Sequence, residues 1–216
     1  MPCRSWSLQA IDTCPGSLGD NGELVDACRG CYATTGNYRF QNVKAPRIHN
    51  REDWKRVGWV ADMAQELDND RYFRWFDSGD VYDVRLARKI LEVMTLTPWC
   101  HHWLPTRMYK FPKFRSVFKA MEKLSNVVVR YSSDSVSGGT VKGRNTSTII
   151  PPPGDAGKLL RPLVTWLRGM TVCEAYQREG KCGTCRACWD KRTKVIAYPA
   201  HGVKMKKVIR LMRIAA

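Results

Sequence analysis

The 216 residues contain no uncharged apolar run of eighteen, so the sequence offers no candidate for a membrane-spanning helix. It also has no Walker-type phosphate loop and no internal repeat. The opening MPCRSWSLQAIDTCPGS lacks the continuous apolar segment before a small-residue cleavage site that marks a secretory leader, which makes the cytoplasm the expected address. Acidic residues are scarce in the second half. Residues 1–100 hold 13 basic and 14 acidic side chains, a formal −1, whereas residues 101–216 hold 23 and 6, a formal +17. Disorder is excluded as well, because 44% of the chain is apolar and eight residues are Trp. A chain of this length buries most of its apolar surface in a core of its own.

The lopsided charge points to an anionic partner. Clustered Lys and Arg bind phosphates by releasing condensed counterions, so nucleic acid is the expected partner of the basic C-terminal half. Nine cysteines in a cytoplasmic chain argue for metal binding or redox chemistry rather than disulfides. Cys28 and Cys31 form a C-x2-C pair with Cys14 thirteen intervening residues upstream, and Cys173, Cys182, Cys185 and Cys188 form a C-x8-C-x2-C-x2-C array. Cys3 and Cys100 stand outside both sets.

Between the two sets, hydrophobic patterning predicts α-β-α-β-α-β. Strands are expected at Tyr72–Phe76, His101–Met108 and Asn126–Tyr131. A helix over Glu52–Leu67 places Trp54, Val57, Ala61 and Ala64 at helical spacing. The next two carry apolar faces of Val84, Ala87, Ile90, Leu91 and Met94, and of Phe114, Val117, Phe118, Met121 and Leu124. Strands returning at this interval with helices between them predict an α/β fold with a parallel sheet, either a partial (β/α) barrel or an open sheet. In such sheets ligand-binding groups lie on loops after the C-terminal strand ends. Here those loops read Ser78-Gly79-Asp80, Thr106-Arg107 and Ser132-Ser133-Asp134-Ser135.

Ser135–Lys158 is rich in Ser, Gly, Thr and Pro, and Pro151-Pro152-Pro153-Gly154 continues neither a helix nor a central strand. We read it as a long loop or lid and divide the chain there. Residues 1–150 make an α/β core with the N-terminal cysteine triplet, and residues 151–216 make a cysteine-rich metal-binding appendage, followed by Lys194–Tyr198 and a basic tail. In the tail, Val203–Arg213, the residues Val208, Leu211 and Met212 are placed to dock one side.

Cys182, Cys185 and Cys188, at successive spacings of three with Cys173 as a fourth ligand, suit a loop wound around an iron-sulfur cubane, with structural zinc as the alternative. The N-terminal triplet is one ligand short of a closed site. Three thiolates on a four-iron cluster leave one iron open for a small molecule, whereas closure by Cys3, or by Cys100 with His101 and His102, would make the site structural.

Several segments, SWSLQAIDTCPGS, DACRGCYATTGNY, FRWFDSGDVYD, WLPTR, VVVRYSSD and CGTCRACW, resemble the bacteriophage family called gene product eighty-eight, whose function is unassigned. Within that match, CRGCYA and the strand ending in SGD are similar to the radical S-adenosylmethionine superfamily. The resemblance implies that Cys14, Cys28 and Cys31 hold a [4Fe-4S] cluster and that Ser78, Gly79 and Asp80 meet the amino group of S-adenosylmethionine. The reduced cluster would then cleave the sulfonium to a 5′-deoxyadenosyl radical. Arg107 and Arg130, near strand ends, are candidates for the cofactor carboxylate or a substrate phosphate through paired hydrogen bonds. The aromatic Tyr32 joins the cofactor candidates; it follows the last cysteine instead of preceding it, and the first gap of the triplet is longer than in that superfamily.

Three functions follow from this reading. The first is a radical S-adenosylmethionine-type enzyme acting on nucleic acid or a nucleotide, in the host cytoplasm if phage-encoded. The second is a non-enzymatic zinc or iron-sulfur protein that binds nucleic acid. The third is a metal-dependent nuclease using Asp77, Asp80, Asp83 or Asp134 with His101 or His102.

Overall fold

The computed structural model describes residues 3–152 and 169–214. Seven strands share one sheet, β1 (Arg4–Trp6), β2 (Tyr72–Trp75), β3 (His101–Thr106), β4 (Val127–Ser132), β5 (Thr146–Ile150), β6 (Met170–Val172) and β7 (Val195–Pro199), in the order β1-β2-β3-β4-β5-β7-β6. The pairs β1–β2, β2–β3, β4–β5, β5–β7 and β6–β7 are parallel. The six described helices are α1 (Asp26–Arg29), α2 (Gln41–Asp53), α3 (Trp59–Glu66), α4 (Val84–Leu96), α5 (Arg115–Lys123) and α6 (Val203–Ile214). Contacts divide the chain into two compact units, one of residues 2–16 and 33–130, the other of residues 17–32 and 131–216. Residues 131–150, read from sequence as part of the N-terminal core, thus cluster with the C-terminal segment.

In the first unit, alternation along the strands sends Trp6, Phe73, Trp75, His102 and Leu104 to one buried face. There Trp6 meets Trp59 edge-on at 5.4 Å and Trp75 at 6.2 Å between ring centroids, so these three tryptophans pack together. α4 forms where predicted, capped by the Asp83 carboxylate accepting from the Arg85 amide at 2.7 Å, and it buries Leu86, Ala87, Ile90, Val93 and Met94. α5 buries Val117, Phe118 and Met121.

The single helix expected over Glu52–Leu67 is broken. α2 ends at Asp53 and α3 starts at Trp59. Both Trp54 and Trp59 are buried, and no single straight helix face is used: Val57, assigned to the apolar face, is 99% exposed. The break is held by the Lys89 ammonium, which donates to the Trp54 carbonyl at 2.9 Å and the Arg56 carbonyl at 2.5 Å, satisfying acceptors that a helix end orphans.

In the second unit the segment read as a long loop contains β5, which pairs with β7 over Thr146–Ile150 against Val195–Pro199. Its proline-glycine stretch from Pro153 to Lys158 lies outside the described residues. β6 and β7 of the C-terminal segment are strands of the sheet. α6 docks by Met205 and Ile209, with Val208 partly buried, in an apolar cluster with Ala27, Val136 and Ala200. Leu211, expected on the docking side, is 56% exposed.

Candidate functional site

β2 stops one residue before its predicted end because Phe76 turns to a φ of 56°, a left-handed backbone unusual for a bulky side chain, and its amide donates to the Trp6 carbonyl at 2.7 Å. Ile11, a β-branched residue, has a φ of 71°. These outliers flank the two loops that meet at the C-terminal strand ends of the first unit, where strain tends to accompany function.

The loop Asp77-Ser78-Gly79-Asp80 is tied to the residues after β1. Ser78 Oγ donates to the Leu8 carbonyl at 2.8 Å and accepts from Arg47 Nε at 2.7 Å. Gly79, at φ 75°, has no room for a Cβ, which would stand 2.6 Å from Leu8 Cβ and 2.7 Å from Thr13 Oγ1. Asp80 is buried; its carboxylate accepts from the Val81 amide at 2.7 Å and from the Arg107 amide at 2.7 Å. Burial pushes the Asp80 carboxyl up against the opposing pull of those amides and the Thr106 hydroxyl.

Cys14 belongs to the same construction. The Asp80 amide donates to the Thr13 carbonyl at 3.1 Å, one residue before the cysteine. Two residues after it, Gly16 lies so close to the end of β3 that a Cβ would stand 2.7 Å from the Arg107 carbonyl, and Lys110 Nζ donates to the Gly16 carbonyl at 2.9 Å. Cys14, Ser78, Gly79, Asp80 and Arg107 are therefore brought together at the C-terminal ends of β2 and β3.

Sequence reasoning missed the charged network beside them. Asp77 accepts from Arg47 Nη2 at 2.9 Å, from the Tyr38 hydroxyl at 3.0 Å and from the Ser7 hydroxyl. Burial raises its carboxyl, but the Ser7 hydrogen bond and the Arg47 and Arg74 guanidiniums outweigh that and hold it below the usual carboxylate range. The Asp77 position was visible in the DSGD run, whereas Arg47 on a helix with no buried residue gave no periodic signal.

Two of the residues considered for closing the N-terminal triplet, Cys100 and His102, are buried in the core. Cys100 precedes β3, His101 and His102 start it and Arg107 follows its end, a strand of six residues that separates them by about 20 Å. Cys100 is buried, its thiol pushed up to about 12 chiefly by burial. His102 is buried, held neutral down to about 4 chiefly by burial. Trp75 Nε1, a donor only, reaches His102 Nδ1 at 3.3 Å, so the proton sits on Nε2 and is donated to Thr97 Oγ1 at 2.9 Å. Both ring nitrogens are engaged in the core. Asp83, a nuclease candidate, is the α4 cap. Arg130 is wholly buried within β4.

In the second unit, Cys28 is buried on α1 and Cys31 is partly exposed, with the Cys31 amide donating to the Cys28 carbonyl at 3.1 Å. The turn is fixed on two sides. The Ala27 amide donates to the Asp134 carbonyl at 3.0 Å, and Gly30 abuts α6, where a Cβ would lie 2.7 Å from Met205 Cα. Tyr32 follows, 48% exposed. An open pocket of about 380 Å³ is lined by Asn21, Glu23, Asp26, Arg29, Asp134 and Ser135. The Ser133 and Ser135 hydroxyls cap amides of their own turn, at 3.2 Å for Ser135 to Ser133 Oγ and 3.0 Å for Ser137 to Ser135 Oγ.

The C-terminal cysteine array is the crossover from β6 to β7. Such a parallel crossover is usually a helix packed on the sheet. Here no residue from Cys173 to Cys188 is buried, so the segment has no apolar core of its own. Cys173 is anchored by its amide donating to the Ala197 carbonyl at 2.8 Å, and its thiol is raised chiefly by burial, against the opposing pull of the Ala175 backbone. Cys188 Sγ lies 3.3 Å from the Tyr198 hydroxyl. Among the described residues no three His, Cys, Asp or Glu side chains are gathered tightly enough to hold a metal ion, the two cysteine sets included. No helix among them is long and apolar enough to cross a membrane.

A family model described as Gene product 88 matches residues 1–191. No curated protein and no solved structure matches the chain.

Proposed function

From a chain that belongs to the bacteriophage gene product 88 family, we infer an iron-sulfur protein of radical S-adenosylmethionine type, acting on nucleic acid or a nucleotide. The carrying observation is that the loop bearing Cys14 is bonded to Asp80 on one side and packed on Arg107 on the other, at the strand ends where α/β sheets hold ligands. Cys14 with Cys28 and Cys31 would hold a [4Fe-4S] cluster, and Ser78, Gly79, Asp80, Arg107, Arg130 and Tyr32 are the cofactor-side candidates. The array Cys173, Cys182, Cys185 and Cys188 would take a second cluster or zinc. The stretch Cys173–Cys188, with no buried residue and only Trp189 after it buried in the crossover, supports a bound metal there, because a closed site supplies folding energy that packing does not.

The test is anaerobic isolation with iron and sulfide analysis. A brown protein whose Cys28→Ala variant loses one cluster and keeps the other supports the reading; a colourless protein holding only zinc overturns it. The second reading is a non-enzymatic metal protein that binds nucleic acid. It is favoured by the Asp80 carboxylate, whose two oxygens already accept from backbone amides at 2.7 Å. Under that reading Asp80 is a structural bolt, and addition of S-adenosylmethionine leaves any cluster spectrum unchanged.

A further inference from the structure

From Lys191 to Ala216 the sequence has eight Lys or Arg and no Asp or Glu. Most of that charge sits on α6, a helix of 12 residues. Met205 and Ile209, four residues apart, are buried against Ala27, Val136 and Ala200. The opposite side exposes Lys206, Lys207 and Arg210, with Lys204 exposed beside them. Lys206 and Arg210 are one turn apart, and Lys207 and Arg210 are neighbours at the three-residue spacing, so the three guanidinium and ammonium groups share a face. The helix is held as well as docked: Gly30, in the turn between Cys28 and Cys31, allows the α6 backbone to approach so closely that a Cβ there would meet Met205 Cα at 2.7 Å.

We propose that the outer face of α6 is the surface that binds the phosphate backbone of nucleic acid. The inference rests on the nucleic-acid part of the reading above and adds where the partner is held. Charge complementarity names the occupant, since a cationic face free of acidic residues fits a polyanion. The packing argues against the other polyanion a basic amphipathic helix can meet, a membrane surface. Such helices bury a continuous apolar side among lipids, whereas here Met205 and Ile209 are already buried in the protein and only Val203 and Leu211 of the described apolar residues stay exposed.

The experiment compares the intact protein with two variants of equal charge loss, Lys206→Ala/Lys207→Ala/Arg210→Ala on α6 and Arg115→Ala/Lys119→Ala/Lys123→Ala on α5, whose three residues are likewise exposed. Binding of mixed-sequence duplex DNA and of single-stranded RNA is measured across a salt series, with phosphatidylserine vesicles as the third probe. The proposal expects the α6 variant to weaken nucleic-acid binding and to lower the slope of log affinity against log salt by about 2 to 3, while the α5 variant stays close to the parent. Circular dichroism and melting temperature of both variants establish that they fold. If the α6 variant does not fold, charge-preserving Lys206→Arg/Lys207→Arg with parental binding, and binding lost on single Arg210→Ala, test the same face. Equal losses in both variants, or retention of the vesicles in place of nucleic acid, overturn the assignment to α6 while leaving the metal reading standing. No binding of either nucleic acid by the parent overturns this inference and the nucleic-acid part of the reading together.

Discussion

Two aspartates three residues apart illustrate how surroundings decide a carboxylate's use. Asp77 is held ionised by Arg47, Tyr38 and Ser7, whereas Asp80 is pushed toward its neutral form by burial. Because the Asp77 carboxyl is lowered, its stabilising contribution is complete above about pH 4, the ordinary carboxylate value, and is lost as pH falls below that. Asp77→Asn should cost about 1.5–3 kcal/mol at pH 7 and flatten the acid limb of the stability profile. Chemical denaturation at pH 7 and pH 3.5 checks both effects. His102 titrates in the opposite sense of charge. Its folded value of about 4 lies below the free value of about 6.5, so stability declines as pH drops through that window, when the unfolded chain takes a proton that the fold refuses. His102→Gln should remove that decline between pH 6.5 and pH 4, seen as matching melting temperatures at the two ends. The roles of both residues were hidden in sequence: a histidine beside a cysteine reads as a ligand pair until burial and a Trp75 donor show otherwise.

Among elements, the long periodic pieces were legible. α4, α5 and the cores of β2, β3 and β4 sit where the sequence pattern puts them, because the helices and β2 each bury one apolar face and β3 and β4 carry uninterrupted buried runs. β1 and β6, of three residues each, carry too little pattern to stand out, and β5 was concealed by the Ser, Gly and Pro around it. The break between α2 and α3 has one local mark, Gly58 at the N-cap of α3, while the Lys89 side chain that satisfies its carbonyls comes from far along the chain. Two glycines test these joints. Gly79→Ala must fit a Cβ 2.6 Å from Leu8 Cβ at a left-handed backbone, and should destabilise by about 1–3 kcal/mol, measured by urea denaturation. Gly30→Ala, facing Met205 backbone, should detach α6 and lower melting temperature, with the loss suppressed when α6 is deleted. For the crossover, Cys185→Ser should lower metal content and melting temperature together; metal content and melting temperature both unchanged would remove the metal from that segment.

At the scale of the whole molecule, the charge split and the two cysteine sets were readable at once, and the parallel α/β class followed from the order of elements. The joining of the loop around Cys14 to Asp80 and Arg107, through Thr13 and Gly16, was not readable, because it depends on backbone contacts between segments far apart in the chain. That joining is also what the functional reading leans on. The most direct measurement is anaerobic reduction of the iron-loaded protein with S-adenosylmethionine, followed by chromatography for 5′-deoxyadenosine. The account predicts that 5′-deoxyadenosine forms, that Cys28→Ala abolishes it, and that Asp80→Ala diminishes it while iron is retained. A reduced, cluster-bearing protein that forms none would contradict the account and leave a metal-binding protein that grips nucleic acid.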